Sequence, residues 1–167
     1  AAEWSTGAPV TNDSSSRPTW AELDPRALPA NLRRVRQCAR GRRVIAVVKA
    51  DAYGHGAIFV GRTLVQDGVD ALAVATLEEA RALRGAGLGL PILLLEGLHR
   101  AEDAAEIVAR RLVPVITRPD MISALELAAR SAGVRLGVHL KLDTGMGRLG
   151  LMAHELGSAI DALASSQ

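Results

Sequence analysis

An α/β fold built on a parallel sheet is predicted by three features of the sequence. Continuous apolar runs rich in β-branched residues recur along the chain. Segments of helical spacing separate them. Successive runs begin about 20 to 28 residues apart, the span of a βαβ unit. Uninterrupted hydrophobicity marks strands covered on both faces. Five β/α units follow in series, with no strand hairpin. The alternation fits a doubly wound sheet or a barrel equally well, and in both the chemistry sits at the carboxyl ends of the strands.

Residues 1–18, AAEWSTGAPVTNDSSSRP, are small, polar and aperiodic, and read as a disordered tail ahead of a domain spanning 19–167. TWAELD (19–24) alternates like a short strand. Asp24-Pro25 then reads as the cap and first position of a helix whose apolar face is Leu28, Leu32, Val35 and Cys38. Pro29 argues for a late start to that helix. The strands follow as RVIAVVKA (43–50), ALAVAT (71–76), PILLLE (91–96), LVPVIT (112–117) and VRLGVHLKLD (134–143). Helices are expected over roughly 57–67, 77–85, 100–110, 119–131 and 153–164. Gly68, Gly87, Gly133 and Pro119-Asp120 fall where helices should stop or start.

Composition excludes several classes of function. The 20 basic residues nearly balance the 18 acidic ones, for a net charge of +2, so no polyanion partner such as nucleic acid is expected. Trp4, Trp20, Tyr53 and Phe59 are the only aromatic residues, too few for a base-stacking platform. No apolar run approaches the ~18 residues that a membrane span needs, and the first 18 residues lack a signal-peptide core. A single cysteine, Cys38, suits a reducing compartment such as the cytoplasm and is expected to be buried on its helix. No His, Cys, Asp and Glu spacing suggests a metal site.

Of the 20 basic residues, only Lys49 and Lys141 are lysines. Arginine stays charged, whereas a lysine can lose its proton when desolvated and attack a carbonyl. Lys49 ends a strand of Ile45, Ala46, Val47 and Val48, where apolar surroundings favour the neutral amine. A strand-end lysine reaching solvent is the plain alternative. The string AVVKADAYGHG (46–56) continues into Tyr53 and a turn with Gly54, His55 and Gly56, of the kind that leads an anion to a helix N-terminus. A second string, KLDTGMGRLG (141–150), joins Lys141 to Arg148, whose planar fork suits a carboxylate or phenolate. Here the alternatives are an ion pair of Lys141 with Asp143 or a nearby acid, and a surface Arg148 capping Gly147. His55 reads as a loop residue, His139 as a hydrogen-bonded core residue, and His99 and His154 as exposed.

AVVKADAYGHG resembles the cofactor-attachment signature of alanine racemases, which are fold-type III pyridoxal-phosphate enzymes. KLDTGMGRLG resembles a second signature of the same family, and TWAELDPRAL resembles its start. The likeness covers about residues 18–156. It implies the N-terminal part of a (β/α)8 TIM barrel. It also implies pyridoxal 5'-phosphate as cofactor, alanine as substrate, interconversion of the L and D forms for peptidoglycan precursors, and a cytoplasmic homodimer. Lys49 would carry the cofactor as an imine and act as the base on one face of the substrate. Tyr53 would contact the cofactor phosphate and Leu95 would line the cofactor pocket. Arg148 would donate to the cofactor's phenolic oxygen and to the substrate carboxylate. Lys141 corresponds to a lysine that is carbamylated in some members.

The remaining barrel strands, the C-terminal β domain and its tyrosine base are expected to be absent from these 167 residues, leaving a fragment that is inactive by itself. Two other readings compete. One is a pyridoxal-phosphate-binding half-barrel without turnover. The other is a nucleotide-phosphate domain, which is disfavoured because no G-x-x-x-x-G-K-[ST] is present.

Overall fold

The computed structural model describes residues 22–166. The expected tail at 1–18 and the first half of the expected strand at 19–24 lie outside the described residues; Glu22 to Asp24 are irregular. Five strands form one parallel sheet in the order β1-β2-β3-β4-β5: Ile45–Val47, Ala71–Val74, Ile92–Leu94, Leu112–Ile116 and His139–Leu140. Strand order equal to chain order decides between the two architectures. A doubly wound sheet reverses its order at a switch point and covers both faces with helices. This sheet never reverses, so it is wound as a barrel wall.

Side-chain parity shows the same winding. Even-numbered strand residues, Leu72, Val74, Ile92, Leu94, Leu112 and Ile116, join the large core together with helix residues such as Leu64, Leu83, Ile107 and Leu125. Odd-numbered Ala71, Ala73 and Leu93, with Leu95 and Val113, form a separate cluster on the opposite face. Helices α1 (Ala27–Ala39), α3 (Ala57–Gln66), α4 (Leu77–Gly85), α5 (Ala104–Ala109), α6 (Asp120–Ser131) and α7 (Leu156–Ser165) therefore lie on one side. Each touches its neighbours in the series, α4 and α5 through the Arg81–Glu106 ion pair. The odd-numbered face is the concave one. On the edge strand β1 it leaves Ile45 and Val47 41% and 43% exposed.

Two strands are shorter than expected, each for a local reason. The fifth run was expected over 134–143, yet only His139 and Leu140 pair in β5. In β4 the carbonyl of Ile116 accepts from Lys141 N, so even-numbered backbone groups of β4 face β5. Pro114 lies on that side and has no N–H to offer, so the ladder cannot extend toward Leu136. β1 stops at Val47 because the chain turns sharply at Lys49, as described below. The described helices fall where spacing placed them, and the segment expected at 100–110 begins as a 3-10 turn at Ala101–Asp103.

α1 starts at Ala27 and not at Pro25. The Asp24 carboxylate instead accepts from the backbone N–H of Arg26 at 2.9 Å. Pro29 is the third residue of the helix, where its missing N–H costs no hydrogen bond. The expected apolar face of α1 is half wrong. Leu32 is buried and Leu28 packs against the core, but Val35 is 50% exposed and Cys38 is exposed. Arg36 explains this: it reaches across to the Gly68 carbonyl and to Asp70. The docked stripe is thus Leu28, Leu32 and Arg36. At 100° per residue this rotates Cys38 to the outer side.

Candidate functional site

Beyond the paired positions of β1, β2 and β3, the concave face continues into Lys49, Ala75 and Leu95. With Glu96, Val115, Lys141, Arg148 and Leu149 they line a cleft of about 190 Å³ at the carboxyl ends of the strands. A larger groove between α5 and α6 lies among helix residues, mostly alanines, and holds none of these groups. Four residues singled out from sequence, Lys49, Leu95, Lys141 and Arg148, thus meet in one place. Tyr53 does not line the cleft and is 61% exposed.

Lys49 and Lys141 are half-buried and Arg148 is exposed. Among the described residues none of the three forms an ion pair. Glu96 is the one carboxylate in the lining, and its Oε2 lies 3.1 Å from His99 Nε2. Three cations against one acid, walled by Ala75, Leu95, Val115 and Leu149, make a site that attracts anions and has apolar surface for a flat ring.

The segment after Lys49 is left-handed. Ala50, Asp51, Ala52 and Tyr53 have φ of 50°, 53°, 53° and 57°. A left-handed conformation costs an L-residue about 1–2 kcal/mol, so four in succession are held by their surroundings. The turn α2 (Lys49–Gly54) closes through Ala52 N donating to the Val48 carbonyl at 3.0 Å. Asp51 Oδ1 accepts from Ala57 N at 2.7 Å, and His55 Nδ1 lies 2.8 Å from the Ala52 carbonyl oxygen. His55 therefore shapes the loop. Ala50 N donates to Glu79 Oε1 at 2.7 Å. Sequence reasoning missed Glu79, although Thr76-x-x-Glu79 is a capping-box spacing that could have drawn attention to it.

The loop carrying Arg148 is folded around Asp143. Its Oδ1 accepts from Gly145 N at 2.9 Å and Gly147 N at 3.0 Å. These amides, Gly147 foremost, hold its carboxyl below the usual aspartate range. The Lys141–Asp143 ion pair considered from sequence is therefore not formed, since Asp143 binds loop amides. Leu151 N donates to the Lys141 carbonyl at 2.7 Å, and Asp143 N donates to the Leu151 carbonyl at 3.0 Å, closing the loop with a parallel bridge. Gly150 has φ of 132°, and a Cβ there would lie 2.6 Å from Asp143 N, so glycine alone fits. The loop returns Arg148 to the end of β5 beside Lys141. His139, expected in the core, is instead exposed on the concave face, because the odd-numbered register of β5 points it there.

A barrel-type β/α wall with a basic, amine-bearing cleft at the carboxyl ends of its strands defines the class of protein. The chain belongs to the family described as alanine racemase, N-terminal domain, whose model matches residues 23–167. It is 46% identical over 154 residues to the alanine racemase of Sorangium cellulosum, covering 89% of this chain and 41% of that protein. An alanine racemase from Clostridium difficile superposes with a TM-score of 0.82 at 33% identity, over 92% of this chain and 40% of that one. A histidine racemase from Leuconostoc mesenteroides superposes with a TM-score of 0.79 at 28% identity, over 87% and 39%. The chain thus spans about two fifths of the length of the relatives it matches. The N-terminal barrel part of these structures matches the parallel sheet described here.

Proposed function

We propose that this chain supplies the cofactor-bearing part of an alanine racemase that takes pyridoxal 5'-phosphate, forms D-alanine for cell-wall precursors in the cytoplasm and works as a homodimer. The observation that carries the reading is the cleft that gathers Lys49, Leu95, Lys141 and Arg148 at the carboxyl ends of β1, β3 and β5. The donor set fits the cofactor: a half-buried amine for covalent attachment, apolar walls for the ring, and cations without acidic partners for its oxygens and for a substrate carboxylate. The chemistry pyridoxal phosphate supplies when bound is an electron sink for the charge left on the α-carbon as its proton departs.

The residues of this chain do the rest. Lys49 would hold the group through Nζ and, once released by the substrate's own amine, would exchange the α-proton on one face of the substrate. Arg148, presented by the Asp143-centred loop, donates to the phenolic oxygen and orients the carboxylate. Leu95 packs against the ring. Lys141, whose charge Asp143 does not take up, acts on Arg148, as a carbamate where it is modified. Tyr53, in the turn just after Lys49, meets the phosphate. Racemisation needs a base on the opposite face as well, and the only tyrosine of this chain is already assigned to the phosphate. The 167 residues alone are therefore expected not to racemise alanine. The attachment is tested by incubating the chain with pyridoxal phosphate, reducing with borohydride and mapping peptides. A pyridoxyl group on Lys49 is expected; label confined to Lys141, or absent, overturns the reading.

A further inference from the structure

We infer that Glu79 is a positioning residue for Lys49, clasping the peptide plane that follows the amine-bearing residue. The inference rests on the attachment reading only for the purpose it gives the clasp. Ala50 N belongs to the Lys49–Ala50 peptide, so its hydrogen bond to Glu79 Oε1 at 2.7 Å sets the orientation of that plane, and with it ψ of Lys49. The other oxygen, Oε2, accepts from Ala75 N at 2.8 Å and Thr76 N at 3.3 Å. Ala75 lines the cleft at the end of β2. One carboxylate thereby ties the wall of the cleft to the first peptide of a left-handed turn.

Nothing else competes for that carboxylate. Among the described residues Glu79 forms no ion pair, whereas its neighbour Glu78 pairs with Arg81. The exit of the turn has its own fastenings at Asp51 and His55, while the clasp to Glu79 is the bond that α4 makes to its entry. The backbone N–H of Glu79 also donates to Thr76 Oγ1, completing a capping box. Helix cap and clasp share one side chain, so a test must separate them.

Glu79→Gln does so. Glutamine serves in a capping box, and its one oxygen is drawn to the two amides of Ala75 and Thr76. Its NH₂ then faces Ala50 N–H, donor against donor. Thr76→Ala is the reverse control, removing the hydroxyl of the cap and leaving the carboxylate in place. In the full chain, exchange of the Ala50 amide should speed by about tenfold in Glu79→Gln, as loss of a charge-assisted bond entails. The ratio of pyridoxyl label on Lys49 to that on Lys141 should fall by about the same factor. Both readings should stay at their wild-type values in Thr76→Ala.

Unchanged Ala50 exchange in Glu79→Gln overturns the clasp. Faster exchange with an unchanged labelling ratio overturns the positioning role. A wild-type chain that takes no label at Lys49, with Ala50 exchange still faster in the variant, overturns the attachment reading and leaves the clasp standing. Should Glu79→Gln not fold, Glu79→Asp takes its place, since its shorter carboxylate cannot span Ala50 and Ala75 together.

Discussion

Two arginines at the amino ends of the strands and the cations of the cleft at the carboxyl ends are used in opposite ways. Arg84 and Arg36 are consumed by structure. Arg84 donates to the carbonyls of Leu88, Leu90, Arg110 and Arg111, the segments that lead into β3 and β4. Asp70 accepts from Val44 N at 2.7 Å and pairs with Arg36, joining the approaches to β1 and β2. At the carboxyl ends, Lys49, Lys141 and Arg148 have no acidic partner among the described residues, and the backbone after Lys49 is left-handed. A charge satisfied by the protein stabilises the fold; a charge left unsatisfied is available to a ligand. The difference separates the stabilising end of a barrel wall from its reactive end.

Four substitutions break or sharpen that contrast. The largest effect is expected from Lys49→Arg, because a guanidinium cannot form the covalent link. Mass spectrometry after borohydride reduction should find no pyridoxyl group at position 49, and the assembled enzyme should show no turnover. Next, Arg148→Ala should lower kcat of the assembled enzyme by about 100-fold, the usual consequence of losing a positioned charged donor. Urea denaturation of the same variant should move by less than about 0.5 kcal/mol.

Arg84→Met should do the opposite. It leaves carbonyls of four residues without their donor and should cost about 2–3 kcal/mol in urea unfolding, yet pyridoxyl labelling of Lys49 should match the wild type. Arg84→Met chains that label poorly while still folded would show that the two ends are coupled.

The smallest effect concerns pH. Arg81 and Arg110 hold the carboxyl of Glu106 down to about 2, from an ordinary 4.5. A depressed carboxylate stabilises the folded chain fully above its unfolded value. The contribution of Glu106 should therefore be complete above about pH 5 and be lost as pH falls from 4.5 toward 2. Acid titration of unfolding in Glu106→Gln should show a shallower loss of stability across that window. An unchanged slope would remove Glu106 from the structural charges.

Much of the fold was legible because its signals are local. Apolar runs gave five strands, and turn residues bounded the helices. Order in the sheet was not legible from periodicity, since winding depends on which face each helix covers. The reach of β5 depended on which side the missing N–H of Pro114 would face, a matter of register. Val35 and Cys38 misled because Arg36, a residue with no apolar signal, fixes the rotation of α1.

In the site, scarcity pointed to Lys49 and Lys141, the second motif carried Arg148, and Leu95 came only from the family resemblance, at the end of PILLLE. Four consecutive left-handed residues were invisible, since Ala and Tyr carry no preference for positive φ and a single Asp does not mark a run. The capping-box spacing of Glu79 was readable, but its bond to Ala50 was not, because that partner is a backbone amide in another element, 29 residues away.

That left-handed turn has a consequence for the order of assembly. No local preference can nucleate it, and its fastenings come from α4, α3 and the end of β1. It can settle only after those elements have docked, so it belongs on the native side of the folding barrier. Loosening it should speed unfolding and leave the folding rate nearly untouched. The corner that carries Lys49 then forms late and opens early.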